Sequence, residues 1–402
     1  MIAPFKKAIP VIERIENAGF EAYFVGGAIR DYVLNRPIAD VDIATSALPS
    51  ELKAIFSKTV DVGVEHGTIL ILYDGESYEA TTFRTESSYQ DYRRPTSVTF
   101  VRSLHEDLQR RDFTMNAIAM TKTGTLIDPF NGYKAIQQKL IQTVGAPEER
   151  FQEDALRMMR AIRFVSQLGF QLHEETKTAL THFAPLLQHI AVERIGMEFS
   201  KLLAGVYKKT AFELLIQTKL YQQLPDLITK EEAIKKCYQL NLAPLNEIQM
   251  WLLLLYLLEL KNAQDFLWKW KLPGKKVKYL VRALLLLQER MQQNWSLTSL
   301  YYAKEETAID VEIVYQTLSG NSVDQTANNM KASFKDMVIT DRNELAVTGN
   351  DVMKWLGKSG GPWLKSMLQH IEIAVLHKQL ENNKDSIKEW VQTCNLQLEK
   401  DC

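Results

Sequence analysis

An α+β head followed by an all-helical remainder is the fold class this sequence predicts, and three observations predict it. Strand signals crowd into residues 1–140, where short apolar runs alternate with glycine-bearing turns. Beyond that point they fade, and helix-period patterns run on to the end of the chain. At 402 residues the chain is too long for a single core and suggests two to four domains.

The first strand expected is 21–25, which ends on Gly26-Gly27-Ala28-Ile29-Arg30-Asp31. A twin glycine lets backbone approach a bulky anion with no Cβ in the way. The helix expected over 28–34 then turns its first amides toward a phosphate. Next comes Asp40-Val41-Asp42-Ile43, read as a strand. Residues i and i+2 of a strand share a face, so Asp40 and Asp42 would project together. Such a pair offers oxygen ligands to a hard cation such as Mg2+. A phosphate cradle beside paired carboxylates is what nucleotidyl transfer requires.

Residues 68–73 and 77–83 read as two strands joined by Asp74-Gly75, a hairpin signal. Glu79, on the second, is a possible third carboxylate, although an outward-facing position is the commoner fate of a strand glutamate. His66 is expected at a loop or strand end. The stretch 84–95, with Glu86, Asp91, Arg93 and Arg94, reads as a mobile polar loop, and 98–101 resumes as strand.

Residues 110–117 contain Arg110, Arg111 and Asp112. The arginines suit triphosphate oxygens, and Asp112 suits a ribose hydroxyl. Taken alone, the segment is more simply an Asp112 cap with exposed arginines, followed by helix.

The helical half begins with 148–168, 174–189 and 192–203. Within the first, Asp154, Arg157, Arg160 and Arg163 recur every third residue, a slanting charged stripe on a helix. Cytosine and adenine both present an amino donor beside a ring-nitrogen acceptor. A carboxylate and a guanidinium complement that edge, whereas guanine and uracil present the opposite polarity. An Asp154–Arg157 pair would thus select C and A. An ordinary solvated stripe has the same spacing. Residues 193–198, Glu193-Arg194-Ile195-Gly196-Met197-Glu198, read as a helix start that braces the preceding helix through charge pairs.

Further on, the apolar run 251–258 is far too short to span a membrane and reads as a buried helix. Breaks are expected at 242–244, 272–274 and 359–362. Lys269, Lys271, Lys275, Lys276, Lys278 and Arg282, interleaved with Trp268, Trp270 and Tyr279, would track phosphates as one basic patch. A basic surface over buried tryptophans is nearly as good a reading. Gly360-Gly361-Pro362 should open a helix at Trp363 whose amides are free to meet a phosphate.

Lys and Arg total 48 against 49 Asp and Glu, so nucleic-acid binding would rest on local patches rather than bulk charge. The three cysteines, Cys237, Cys394 and Cys402, show no metal-ligand spacing, and their odd number argues against a disulfide framework. A reducing cytoplasm fits, as does the want of an apolar leader core in residues 1–10. No histidine precedes an aspartate, which leaves no obvious histidine–aspartate hydrolase site.

The segments GGAIRD (26–31), DVDIAT (40–45), RRDFTMNA (110–117), EDALRMMRAIRF (153–164) and ERIGME (193–198) together resemble the class II tRNA nucleotidyltransferases, most closely the Gram-positive CCA-adding group. Residues 344–371 resemble that family's C-terminal region less specifically. The resemblance implies a polymerase-β-like head over 1–140, a neck over 141–205, a body over 206–295 and a tRNA-binding tail over 296–402. It implies addition of C, C and A to the tRNA 3′ end from CTP and ATP, with no nucleic-acid template. Residue by residue, it implies a catalytic metal pair in Asp40 and Asp42, triphosphate contacts from Gly27 and Arg30, and a nucleotide-binding Arg111. It further implies a ribose-sensing Asp112, a base-reading Asp154 and Arg157, and further nucleotide contacts from Arg160 and Arg163. The 84–95 stretch falls where the family has a loop tied to the switch from C to A addition.

Rival readings are a poly(A) polymerase, an enzyme adding only CC or only A, and a catalytically silent RNA-binding module. Near-neutral charge and the want of a basic tail count against the first. The 84–95 stretch disfavours the CC-only form, and intact Asp40 and Asp42 weigh against the module.

Overall fold

The computed structural model describes residues 2–86, 89–90, 94–95 and 98–398. Two compact units emerge: Met1–Gln239 with Phe266–Leu272, and Leu240–Asp265 with Pro273–Cys402.

The first unit opens on a seven-stranded sheet. Its strand order is Leu126–Ile127, Ala119–Met120, Ala22–Val25, Asp42–Thr45, Glu76–Thr82, Thr68–Tyr73, Thr59–Gly63. Most neighbours are antiparallel, but Asp42–Thr45 and Glu76–Thr82 run parallel, with Asp42 opposite Glu79. The Asp74-Gly75 hairpin forms as expected, with φ of 51° and 77°, the left-handed pair that a tight two-residue turn needs. Helix Ala3–Asn17 packs on the sheet through Phe5, whose ring lies 4.9 Å from Phe24.

Two sequence expectations need correction in this region. The strand carrying the aspartates starts at Asp42, so Asp40 precedes it in solvent-exposed chain outside the strand. The 84–95 stretch is not simply a loop: Arg84–Glu86 pairs with Val98–Phe100, and Tyr89–Gln90 with Arg94–Pro95. Residues 87, 88, 91, 92 and 93 lie outside the described residues, and with them Asp91 and Arg93.

Beyond the sheet region this unit continues with helices Pro147–Glu153 and Leu156–Leu168. They are two helices, where periodicity predicts one. Asp154 ends the first in extended conformation, and its carboxylate accepts the Leu156 N–H at 3.0 Å. Helix Val192–Leu203 packs against Leu156–Leu168. Ser166 donates to the Leu202 carbonyl at 2.6 Å, and a Cβ on Gly205 would fall 2.2 Å from Ser166 Oγ. Only glycine permits that approach.

The second unit is helical. Glu247–Leu258 is the expected buried apolar helix, with Asn246 and Gln249 exchanging capping hydrogen bonds. Pro362–Leu376 begins where the double glycine predicts and contributes Ile371 and Val375 to a core with Val352 and Ile387. Among the described residues, no helix is long and apolar enough to cross a membrane.

Candidate active site

A cleft of about 830 Å³ in the first unit gathers most of the residues singled out by sequence. Its floor is the Gly26-Gly27 turn. Gly26 has φ 73°, and a Cβ there would stand 3.3 Å from Arg111 Nη1 and 3.5 Å from Asp42 Oδ2. The turn is therefore glycine for two reasons, its left-handed backbone and the charged groups pressed against it.

Asp42 and Glu79 occupy facing register positions on the parallel pair, and both line the cleft. The expectation that Glu79 faces outward holds in one sense: it is exposed, but to the solvent of the cleft. Burial, reinforced by the Glu79 charge, pushes the Asp42 carboxyl up to about 6; Arg111 pulls the other way and Asp40 adds to the rise. Mutually repelling carboxylates of this kind are a ready partner for a cation. Among the described residues, no three His, Cys, Asp or Glu side chains form a complete cation cage. One or two carboxylates completed by phosphate oxygens is nonetheless how magnesium is commonly held, so the donor set fits such an ion.

Several arginines line the same cleft, each paired with a carboxylate. Arg30 donates to Asp31 at 3.0 Å and to Asn116 Oδ1 at 2.9 Å. Buried Asp107 receives Arg110 at 2.7 Å and Arg111 at 3.2 Å. Burial alone would raise the Asp112 carboxyl. Arg160 at 2.7 Å, the Asn116 amide at 3.0 Å and the Phe113 N–H at 2.8 Å more than offset this and hold it down to about 2. The helix expected after Asp112 is a single 3-10 turn, Thr114–Asn116.

Asp154, Arg157, Arg160 and Arg163 all line the cleft, although Asp154 does so from the junction between helices. Its second oxygen accepts from Arg194 at 2.8 Å. Arg157 is 6 % exposed and donates to Glu153 at 2.5 Å and to the Arg110 carbonyl at 3.1 Å. Arg163 meets Glu198 at 2.5 Å and Gln167 at 2.7 Å. Arg194 and Glu198 thus brace the preceding helix, as expected of residues 193–198. Arg194 also lines the cleft, together with His66 and Arg84, none of which sequence reasoning placed there.

The basic patch divides. Phe266–Leu272, with Lys269 and Lys271, belongs to the first unit, and Lys275 to Arg282 belong to the second. Trp270 is core, 4.5 Å from Phe199, while Trp268 is 44 % exposed. Lys269 pairs with Asp226 at 2.7 Å, and Lys276 with Glu247. Trp270 fits the reading of a basic surface over a buried tryptophan, and Trp268 does not. Cys237 is a buried free thiol.

Three family models match the chain. "Poly A polymerase head domain" covers residues 22–142. "Probable RNA and SrmB- binding site of polymerase A" covers 169–230. A model for tRNA nucleotidyltransferase domain 2 covers 243–391. The CCA-adding enzyme of Geobacillus sp. (strain WCH70) is 50 % identical over 404 residues, all of both chains. That of Bacillus cytotoxicus is 49 % identical over 98 % of this chain and 99 % of its own. Among solved structures, the Bacillus stearothermophilus CCA-adding enzyme in complex with CTP aligns with a TM-score of 0.90 at 45 % identity, covering both chains fully. The fold, the cleft and this full-length likeness agree: the chain belongs to the CCA-adding enzymes, a family of nucleotidyltransferases.

Proposed function

We propose that this enzyme adds C, C and A to the 3′ end of tRNA, using CTP and ATP, releasing pyrophosphate and needing no nucleic-acid template. The observation that carries the reading is the cleft itself, lined by Asp42 and Glu79 together with a glycine turn and several arginines.

Each group has a task. Asp42, with Asp40 beside it, would hold a divalent cation, here assigned as Mg2+. When bound, such an ion supplies Lewis acidity to a phosphoryl group and charge relief to a departing pyrophosphate. Gly27 presents backbone to the triphosphate, and Arg30 and Arg111 neutralise its oxygens. Asp112 accepts from the ribose. Asp154 accepts from the amino group of C or A, and Arg157 donates to the adjacent ring nitrogen. Arg160 and Arg163 complete the nucleotide contacts. The tRNA 3′-hydroxyl then attacks the α-phosphorus in line. The division into head (1–140), neck (141–205), body (206–295) and tail (296–402), with tRNA on the helical parts, belongs to the same proposal. So does a cytoplasmic location, which suits a buried unpaired thiol.

Likeness over the full chain to proteins named CCA-adding enzyme supports this reading over a poly(A) polymerase that shares the head and neck. The test is a tRNA ending at its discriminator base, with Mg2+ and CTP alone, ATP alone, or both. The expected products are two C with CTP alone and CCA with both. Long A tails would establish the polymerase instead, and no addition until CC is supplied would establish an A-only enzyme.

A further inference from the structure

Phe164 lines the cleft, 4 % exposed, on helix Leu156–Leu168. Three guanidinium groups surround its ring. The Cζ of Arg163 is 3.8 Å from the ring centroid, that of Arg30 is 5.3 Å and that of Arg160 is 5.6 Å. Arg30 comes from helix Gly27–Val33 of the sheet region, whereas the other two share the helix of Phe164. The edge-to-face contact with Phe113, 5.8 Å between centroids at 87°, ties the ring to the segment bearing Arg111 and Asp112.

Each arginine pairs with a carboxylate, Asp31 for Arg30, Asp112 for Arg160 and Glu198 for Arg163, and Glu198 also lies 3.6 Å from Arg160. These acids are scattered, and none is shared by all three cations. The ring is what the three share. Like charges drawn this close repel, and an aromatic face, negative in its quadrupole, opposes that repulsion without neutralising the charges as another carboxylate would. A polyanion entering the cleft therefore meets three guanidinium groups already assembled around one ring.

We infer that Phe164 is a positioning residue whose ring gathers Arg30, Arg160 and Arg163 into a receptor for the polyphosphate of the incoming nucleotide. The inference deepens the proposed function and rests on it for the identity of the polyphosphate as a nucleoside triphosphate.

The test replaces Phe164 in the full-length protein with phenylalanines carrying one, two or three ring fluorines, which weaken the quadrupole stepwise at almost constant volume. Phe164→Leu completes the series. Two readouts are taken: calorimetric binding of inorganic tripolyphosphate with Mg2+, and KM and kcat for CTP and ATP on tRNA. Tripolyphosphate affinity should fall with each fluorine, reaching about 3- to 30-fold at Phe164→Leu, the range open to a cation–π contact. KM should rise in parallel for CTP and ATP while kcat stays within about twofold, the signature of lost ground-state binding. Thermal midpoints of the fluorinated proteins should not move. Affinity that is flat across the fluorine series, or a parent that binds no tripolyphosphate, overturns the inference and leaves Phe164 as core filler. A parent that binds tripolyphosphate with the predicted fluorine dependence but adds no nucleotide to tRNA sinks the CCA reading and leaves the positioning role standing.

Discussion

At the scale of single residues, Asp42 shows a site held away from its most stable form. Burial and the facing Glu79 carboxylate raise its carboxyl to about 6 from an ordinary carboxylate value near 3.8. The folded state therefore binds more protons than the unfolded state between those values, and stability falls as pH rises through that window. Above about pH 6 the whole penalty is present; below about pH 4 it is gone. Asp42→Asn removes the charge. In EDTA at pH 8 the variant should be more stable than the parent by about 1–3 kcal/mol, a range discounted for water in the cleft. The two should converge near pH 4. Adding a divalent cation at pH 8 should raise the parent's midpoint and leave the variant's nearly unmoved. Urea unfolding at the two pH values decides it, and a variant no more stable than its parent at pH 8 would contradict the assignment of strain to this carboxylate.

Among elements, the junction between Pro147–Glu153 and Leu156–Leu168 matters most. Asp154 caps the second helix through the Leu156 N–H and is gripped by Arg194. These roles separate from base reading by substitution. Asp154→Ala removes cap and carboxylate alike and should cost about 1 kcal/mol of stability. Asp154→Asn keeps an acceptor for the Leu156 N–H, so its stability should stay near the parent's. Both should relax discrimination of C and A against G and U by roughly 1–3 kcal/mol, the worth of one good base contact. Misincorporation assays with each nucleotide measure this; selectivity retained in Asp154→Asn would remove Asp154 from the base-reading role. The charged stripe was legible in the sequence, but the helix break was not. An Asp-Ala step suits a helix interior as well as a cap, and the partner that settles the matter, Arg194, lies forty residues on. Glu79 was obscure for a related reason. Alternation along a strand says which residues share a side. Which side faces the site depends on the parallel pairing with Asp42, a contact no local pattern encodes.

Over the whole molecule, the chain leaves its first unit after Gln239 and returns to it for Phe266–Leu272. The Leu272-Pro273-Gly274 break was readable as punctuation. That the residues before it rejoin the first unit was not, because the cause is tertiary. The rings of Trp270 and Phe199 meet tilted at 4.5 Å, and the Trp270 carbonyl approaches Gly196 so closely that a Cβ there would sit 2.9 Å away. The helix beneath it, Val192–Leu203, also carries Arg194 and Glu198, which hold Asp154 and Arg163 in the cleft. A tryptophan far along the sequence thus reaches the cleft through one intervening helix. Trp270→Ala should destabilise the first unit by about 3–5 kcal/mol, the usual cost of emptying so large a buried site. Amide exchange should accelerate along Val192–Leu203 and Lys208–Gln217, while the second-unit core around Ile371, Val375 and Ile387 keeps its protection. KM for CTP and ATP should rise even though Trp270 does not line the cleft, since the groups that hold Asp154 and Arg163 would then stand on a loosened helix. Unchanged exchange in Val192–Leu203, or protection lost equally from both units, would rule out that route from Trp270 to the site.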